Sequence, residues 1–181
     1  MSKQKTQSAA LHRQTGFTMM ELLVAVLVMG VGVLGVTGLQ LVSLQNNQAA
    51  LLRGEAVQLG YDILDRIRVN PGAGVPGAAY DGVDIGNDPA APSDCIANNC
   101  TTAQMTAFDI AVWKCSLGGY NLENTCEVLR DTDALPSDQA QPGLPNGDGS
   151  IELNADGIIT VRVQWNGFNN QLQTISISSQ G

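Results

Sequence analysis

Glu21 is the residue of this sequence most in need of a partner. It stands in Gly16-Phe17-Thr18-Met19-Met20-Glu21, directly ahead of Leu22 to Leu39, a run that is apolar but for its glycines and Thr37. A carboxylate at the edge of hydrocarbon costs about 3 kcal/mol on insertion scales and marks a functional position. A cut between Gly16 and Phe17 would supply a cation, because the new α-amino group on Phe17 lies four residues from the carboxylate. Two such helices, packed side by side with an axial offset, could pair the amine of one subunit with Glu21 of the next.

The element that must hold this pair is a helix. Met19 to Leu39 is long enough to cross a bilayer, which takes about 20 apolar residues. Lys3, Lys5 and Arg13 precede the run and no acid does. That asymmetry predicts a single-pass membrane anchor, with the N-terminus cytoplasmic and the C-terminal part exported. A secretory signal peptide would share the cationic start. However, this apolar run is longer than an ordinary signal's, no Ala-x-Ala-like site follows it, and Glu21 sits where a signal is most apolar.

Gly30-Val31-Gly32-Val33-Leu34-Gly35 also satisfies the G-x-G-x-x-G pattern, with Glu55 further on. A dinucleotide fingerprint follows a strand within a βαβ unit, which a membrane-length run does not provide. Gly30, Gly32, Gly35 and Gly38 read instead as small residues that permit close helix approach and local bending.

Past Leu44 the sequence turns polar at Gln45-Asn46-Asn47-Gln48 without a helix breaker. Leu52, Ala56, Leu59, Ile63 and Ile67 then recur at spacings of three and four, one apolar stripe on a polar helix. Asp62 and Arg66 can pair across one turn. Pro71 pushes Asn70 out of the helical region and ends the helix there. From Phe17 to Val69 this is about 80 Å of helix at 1.5 Å per residue.

Residues 71 to 94, rich in Gly, Pro, Ala and Asp, read as an irregular connection, with Tyr80 as a packing residue. Thr101 and Gln104 fit a capping box opening a helix through about Trp113, with Phe108 and Val112 on its buried face. Cys95, Cys100, Cys115 and Cys126 all fall in the part expected outside the cytoplasm, where an even number favours disulfides. Proximity pairs Cys95 with Cys100 and Cys115 with Cys126, while the sequence leaves three connectivities open. Zinc is disfavoured, since no C-x-x-C knuckle occurs and the sole histidine, His12, lies near the N-terminus.

Leu135 to Gly149 is again rich in proline and glycine. With Glu152 and Asp156, its Asn146 and Asp148 raise calcium, but the full loop pattern is missing and turns are expected. A hairpin closes the chain. Ile159, Val161, Val163 and Trp165 alternate with polar residues, as do Ile175 and Ile177 across the turn Asn166 to Asn170. Leu172 falls on the other parity, which predicts a bulge or an exposed leucine. Ile151 to Leu153 is expected to add a third strand.

The Gly-Phe-Thr-x-x-Glu junction before an apolar helix resembles that of the type IV pilins and pseudopilins. The resemblance implies cleavage after Gly16 by the prepilin peptidase, N-methylation of Phe17 by the same enzyme, and assembly through the apolar helix with Glu21 at the subunit contact. The family's helix often carries a proline partway along, and this one has none. Tyr61-Asp62-Ile63-Leu64-Asp65-Arg66-Ile67-Arg68-Val69-Asn70-Pro71 and the cysteines resemble the PilV subgroup of minor pilins, which supports only the Cys95 to Cys100 pair.

The expected fold is therefore α+β and pilin-like: a long N-terminal helix packed on a small antiparallel sheet with disulfide-tied loops. Residues 1–16 would be a cleaved leader, 17–44 the membrane and filament-core helix, 45–70 its amphipathic half, and 71–181 the globular domain. Seventeen acidic residues against nine basic ones make this a poor nucleic-acid binder. No catalytic constellation, metal site or cofactor is expected, as the exported part has no histidine, no G-x-S-x-G and no cysteine expected free. The function implied by resemblance is a minor pilin of the type IV pilus, whose partners are major and minor pilins, the prepilin peptidase, the inner-membrane assembly platform and the membrane itself. The alternatives are a minor pseudopilin of a type II secretion system, or a membrane-anchored periplasmic binding or sensor module.

Overall fold

Helix α1 runs from Met19 to Val69. It belongs to a computed structural model that describes residues 16–70, 72, 75, 77–136 and 143–180. Lys3, Lys5, His12, Arg13, Pro71 and part of the Leu135 to Gly149 stretch lie outside the described residues. The chain divides into two units, Met1–Leu44 and Gln45–Gly181.

In the first unit, Thr18 opens the helix: its carbonyl accepts from the amides of Glu21 and Leu22 at 3.1 and 3.2 Å, and its hydroxyl oxygen from Glu21 at 3.3 Å. These bonds satisfy amides that a helix start otherwise leaves open. Thr37 donates its hydroxyl to the Val33 carbonyl at 2.9 Å, so the polar atom inside the apolar run is satisfied within the helix. A Cβ placed at Gly30, Gly32, Gly35 or Gly38 would meet nothing within 4 Å.

In the second unit, the helix buries Ala56, Ile63 and Ile67, with Leu52 and Leu59 half-buried beside them. Gly60 and Leu64 join this face, beyond the expected stripe. Gly60 is small for a reason: a Cβ there would meet Ile177 Cδ1 at 2.6 Å. The last turn ends on Asn70, whose buried side-chain amide donates to the Thr102 carbonyl and the Thr106 hydroxyl, each at 3.1 Å.

The sheet against which this face packs has strands β1 (Asp148–Leu153), β2 (Ile158–Asn166) and β3 (Leu172–Gln180), antiparallel and in that order. Ile159, Val161, Val163 and Trp165 are buried, and Ile175 and Ile177 pack half-buried on the same core. The β2–β3 register is continuous from Ile158↔Gln180 to Asn166↔Leu172, so Leu172 is an exposed leucine and not a bulge. β1 begins at Asp148, three residues before the expected Ile151. The described part of the irregular connection is turns, with an isolated bridge between Val83 and Ile151.

Helix α2 spans Thr102–Leu117 and carries the capping box of Thr101 and Gln104. It continues past the expected end at Trp113 and stops at Gly118, whose φ of 103° suits a residue without a Cβ. Trp113 enters the main core, and its indole nitrogen donates to the Leu59 carbonyl at 3.0 Å. Phe108 and Val112 face a second cluster with Cys115, Cys126, Leu129 and Leu135. That cluster rests on helix α3, Asn124–Asp131, which the sequence pattern did not announce. Disulfides join Cys95 to Cys100 and Cys115 to Cys126, with Cα atoms 5.5 and 5.4 Å apart.

Candidate functional site

The N-terminal segment presents chemistry and unburied apolar surface together. Every residue from Gly16 to Leu44 is exposed in the single chain, including Phe17 at 85 % and Leu34 at 75 %. The helix is long and apolar enough to cross a membrane. Among the described residues, no ion pair reaches the Glu21 carboxylate. An apolar surface this continuous requires lipid or other helices around it.

The second unit holds two buried polar clusters that sequence reasoning missed. Lys114 Nζ lies 2.6 Å from Asp148 Oδ1 and donates to the Asp84 carbonyl at 2.8 Å. Asp148 also accepts from the Tyr120 hydroxyl at 2.9 Å and from the amides of Gly86 and Gly149, both at 2.6 Å. Burial first, then the bond to Asp148, pushes the Tyr120 hydroxyl well above its ordinary pKa.

In the other cluster, Arg66 bonds Asp62 at 2.9 Å, as its spacing predicts, and also Asp109 at 3.0 Å. Burial alone would lower the pKa of Arg66, but the two carboxylates outweigh it and the net direction is up. Asp109 accepts in turn from Tyr80 at 2.6 Å. Tyr80 is therefore more than packing: burial and the neighbouring carboxylate push its pKa up to about 12. An open groove of about 560 Å³ adjoins this cluster, bordered by Asp62, Asp65, Arg66, Asn70 and Thr101.

The oxygen ligands considered for calcium do not converge. Asp148 is engaged by Lys114, Glu152 lies 3.3 Å from Arg162, and Asp156 sits in the β1–β2 turn. No group of three or more His, Cys, Asp or Glu side chains that could hold a metal occurs among the described residues.

With Glu21, Phe17 and the apolar helix in place, two family profiles match adjoining stretches of the chain, together residues 11–111. Residues 11–37 match the prokaryotic N-terminal methylation motif, and residues 38–111 match the Tt1218-like family, type IV pilin Tt1218. The chain belongs to the type IV pilin family. Gly16, Phe17 and Glu21 of this pilin lie inside the methylation-motif match, and Cys95 and Cys100 inside the Tt1218-like one. Cys115, Cys126 and the whole sheet lie beyond both matches. No curated protein and no solved structure matches the pilin.

One signal for the missed clusters was present in the pilin's sequence. Asp109 and Lys114 stand within Phe108-Asp109-Ile110-Ala111-Val112-Trp113-Lys114-Cys115, where charges among apolar residues of a helix point to buried pairing.

Proposed function

We propose that this pilin is a minor subunit of a type IV pilus, made as an inner-membrane precursor with its N-terminus cytoplasmic and its C-terminal unit periplasmic. The prepilin peptidase cuts between Gly16 and Phe17 and methylates the new amine of Phe17. The mature subunit then passes from the membrane into the fibre through the assembly platform, its apolar helix exchanging lipid for the helices of other pilins, and it acts in initiating the fibre. The observation that carries this reading is the Gly16-Phe17 junction four residues ahead of Glu21, at the head of a helix whose apolar surface has no cover among the described residues.

The minor role is favoured by the Tyr61 to Pro71 stretch and the Cys95–Cys100 loop, which are similar to those of PilV-type minor pilins. The same features favour a pilus over a type II secretion system. The role is structural, with pilins as partners and no cofactor.

The test is intact mass of the chain recovered from sheared fibres, with its abundance measured against the major pilin. The expected species begins with N-methyl-Phe17 and is a small fraction of the fibre. A fibre-borne chain retaining residues 1–16 would overturn the processing, and abundance equal to the major subunit would overturn the minor role.

A further inference from the structure

Within the second unit, an open groove of about 500 Å³ lies between Ala49, Leu52 and Arg53 of α1 and Trp165, Phe168 and Ile175 of the β2–β3 hairpin. No acidic side chain is among the described residues that border it. The chain carries seventeen acidic residues, yet none falls in residues 22–54 or 157–181, the two stretches that meet at this groove. Elsewhere the unit is strongly acidic.

Arg53 is the cation left over. Arg66, Arg68, Lys114 and Arg162 each bond a carboxylate, and Arg130 donates to the Asn121 carbonyl. Arg53 is exposed and has neither an ion pair nor a side-chain hydrogen bond among the described residues.

The hairpin turn sets apolar surface beside that cation, with Phe168 56 % and Leu172 62 % exposed. Leu172 stands where the strand's outer face should be polar. The turn meanwhile bonds to its own chain: the Gly167 amide donates to the Gln171 carbonyl and the Asn166 amide to the Pro145 carbonyl, both at 2.8 Å, and the Asn166 side-chain amide donates to Asn170 Oδ1 at 2.7 Å. Polar groups satisfied in this way lose little when water is replaced by a less polar layer.

Chain length says which layer is within reach. Ala49 is five residues past Leu44, so at about 3.6 Å per residue the two are no more than about 18 Å apart. With the apolar run in a bilayer, Gln45 to Gln48 span about 6 Å of helix. That is roughly the depth of one headgroup layer, about 5–8 Å. Arg53 then comes at the level of lipid phosphates or just outside them. A guanidinium suits a phosphate, and exposed Phe and Leu side chains suit the boundary between headgroups and acyl chains.

We propose that this end of the second unit docks on an anionic phospholipid surface while the subunit is held in the membrane, with Arg53 bonding a lipid phosphate and Phe168 and Leu172 entering the headgroup boundary. The proposal rests on the membrane-anchored precursor of the reading above and is independent of cleavage at Gly16.

The experiment places an environment-sensitive fluorophore on Leu172→Cys in the full chain, reconstituted into vesicles of phosphatidylethanolamine and phosphatidylglycerol. A lipid spin-labelled near its headgroup is the quencher. All four native cysteines are paired, so the label goes to the introduced thiol. The same label on Leu34→Cys reports insertion of the apolar run, and on Gln180→Cys it reports the opposite end of β3. The expected result is quenching at Leu172→Cys and none at Gln180→Cys. Arg53→Gln should lower the docked-to-free ratio about fivefold, as loss of one cation near an anionic surface implies. Phe168→Ser and neutral phosphatidylcholine vesicles should lower it as well. A Leu34 label outside lipid would overturn the membrane reading itself. In an inserted chain, a Leu172 label no more quenched than that at Gln180, equal quenching in phosphatidylcholine or with Arg53→Gln, or a signal that appears only as chains are crowded together, the mark of a neighbouring pilin, would each overturn the docking alone.

Discussion

Lys114 and Asp148 meet at 2.6 Å with the lysine side chain 1 % exposed, which ties α2 to the first residue of β1 through a pair almost removed from water. The partners are not equivalent. Asp148 has three further donors, in Tyr120, Gly86 and Gly149, whereas Lys114 has one further acceptor among the described residues, the Asp84 carbonyl, and the Tyr120 ring 5.5 Å away. Asp148→Leu therefore strands a buried cation and should cost about 3–5 kcal/mol. Lys114→Met leaves a carboxylate still held by three donors and should cost less, about 1–3 kcal/mol. Urea unfolding followed by the fluorescence of the buried Trp113 and Trp165 measures both. Equal losses would mean that the pair is not organised around Asp148.

Tyr80 offers a test by pH. Its hydroxyl bonds Asp109 at 2.6 Å, and its pKa is raised from 10.0 in an unfolded chain to about 12 in the folded one. A raised pKa means the folded state favours the neutral phenol. Its contribution is thus fully present below pH about 10 and is lost as pH rises through about 12. Tyr80→Phe should lower stability by about 1–2 kcal/mol at neutral pH, and that deficit should shrink across the alkaline window. A deficit unchanged with pH would show that the phenol does not titrate in this way.

Helix α1 beyond Leu44 was legible because its period is strong. Ile63 is fully buried and Gln58 is exposed, as the stripe predicts. Ile63→Asp should destabilise the second unit by about 3 kcal/mol or more, since it buries a charge without a partner. Gln58→Asp should stay within about 0.5 kcal/mol. The same urea titration decides, and equal midpoints would refute the buried face.

What could be read and what could not divide along sequence distance. The capping box at Thr101 and Gln104 and the alternation of Ile159 to Trp165 are local patterns, and both elements formed where those patterns lie. Helix α3 escaped because it is eight residues long and its N-cap residue, Glu123, makes no side-chain capping bond. Gly60 and Leu64 widened the buried stripe because of residues distant in sequence: Ile177 approaches Gly60, and Leu64 shares its core cluster with Tyr80 and Trp113. The pairs Arg66 with Asp109 and Lys114 with Asp148 join residues far apart in sequence, where no periodicity connects them. The pattern from Gly16 to Glu21, by contrast, is contiguous, and the methylation-motif match spans it.

Glu21→Ala should leave membrane insertion and cleavage intact and keep the subunit out of the fibre. Insertion needs only the apolar run, which the change makes more apolar, and cleavage reads the junction at Gly16. Assembly differs. On the proposed processing the cut subunit would carry a methylated ammonium on Phe17, and among apolar helices that cation would lie away from water. Left unpaired there it costs several kcal/mol, which the Glu21 carboxylate of a neighbouring subunit, or its own, offsets. Among the described residues of the isolated chain nothing pairs with Glu21, so the carboxylate is free to serve that contact. Glu21→Gln separates charge from hydrogen bonding: it should be nearly as harmful as alanine where charge is what matters, and milder where a hydrogen bond suffices. Cells are fractionated into membrane and sheared-fibre pools, and the chain is detected with an antibody to its C-terminal unit. The expected pattern is a wild-type level of cleaved Glu21→Ala in the membrane and little or none in the fibre. A wild-type level in the fibre pool would refute the pairing and require another reason for a carboxylate at the head of this helix.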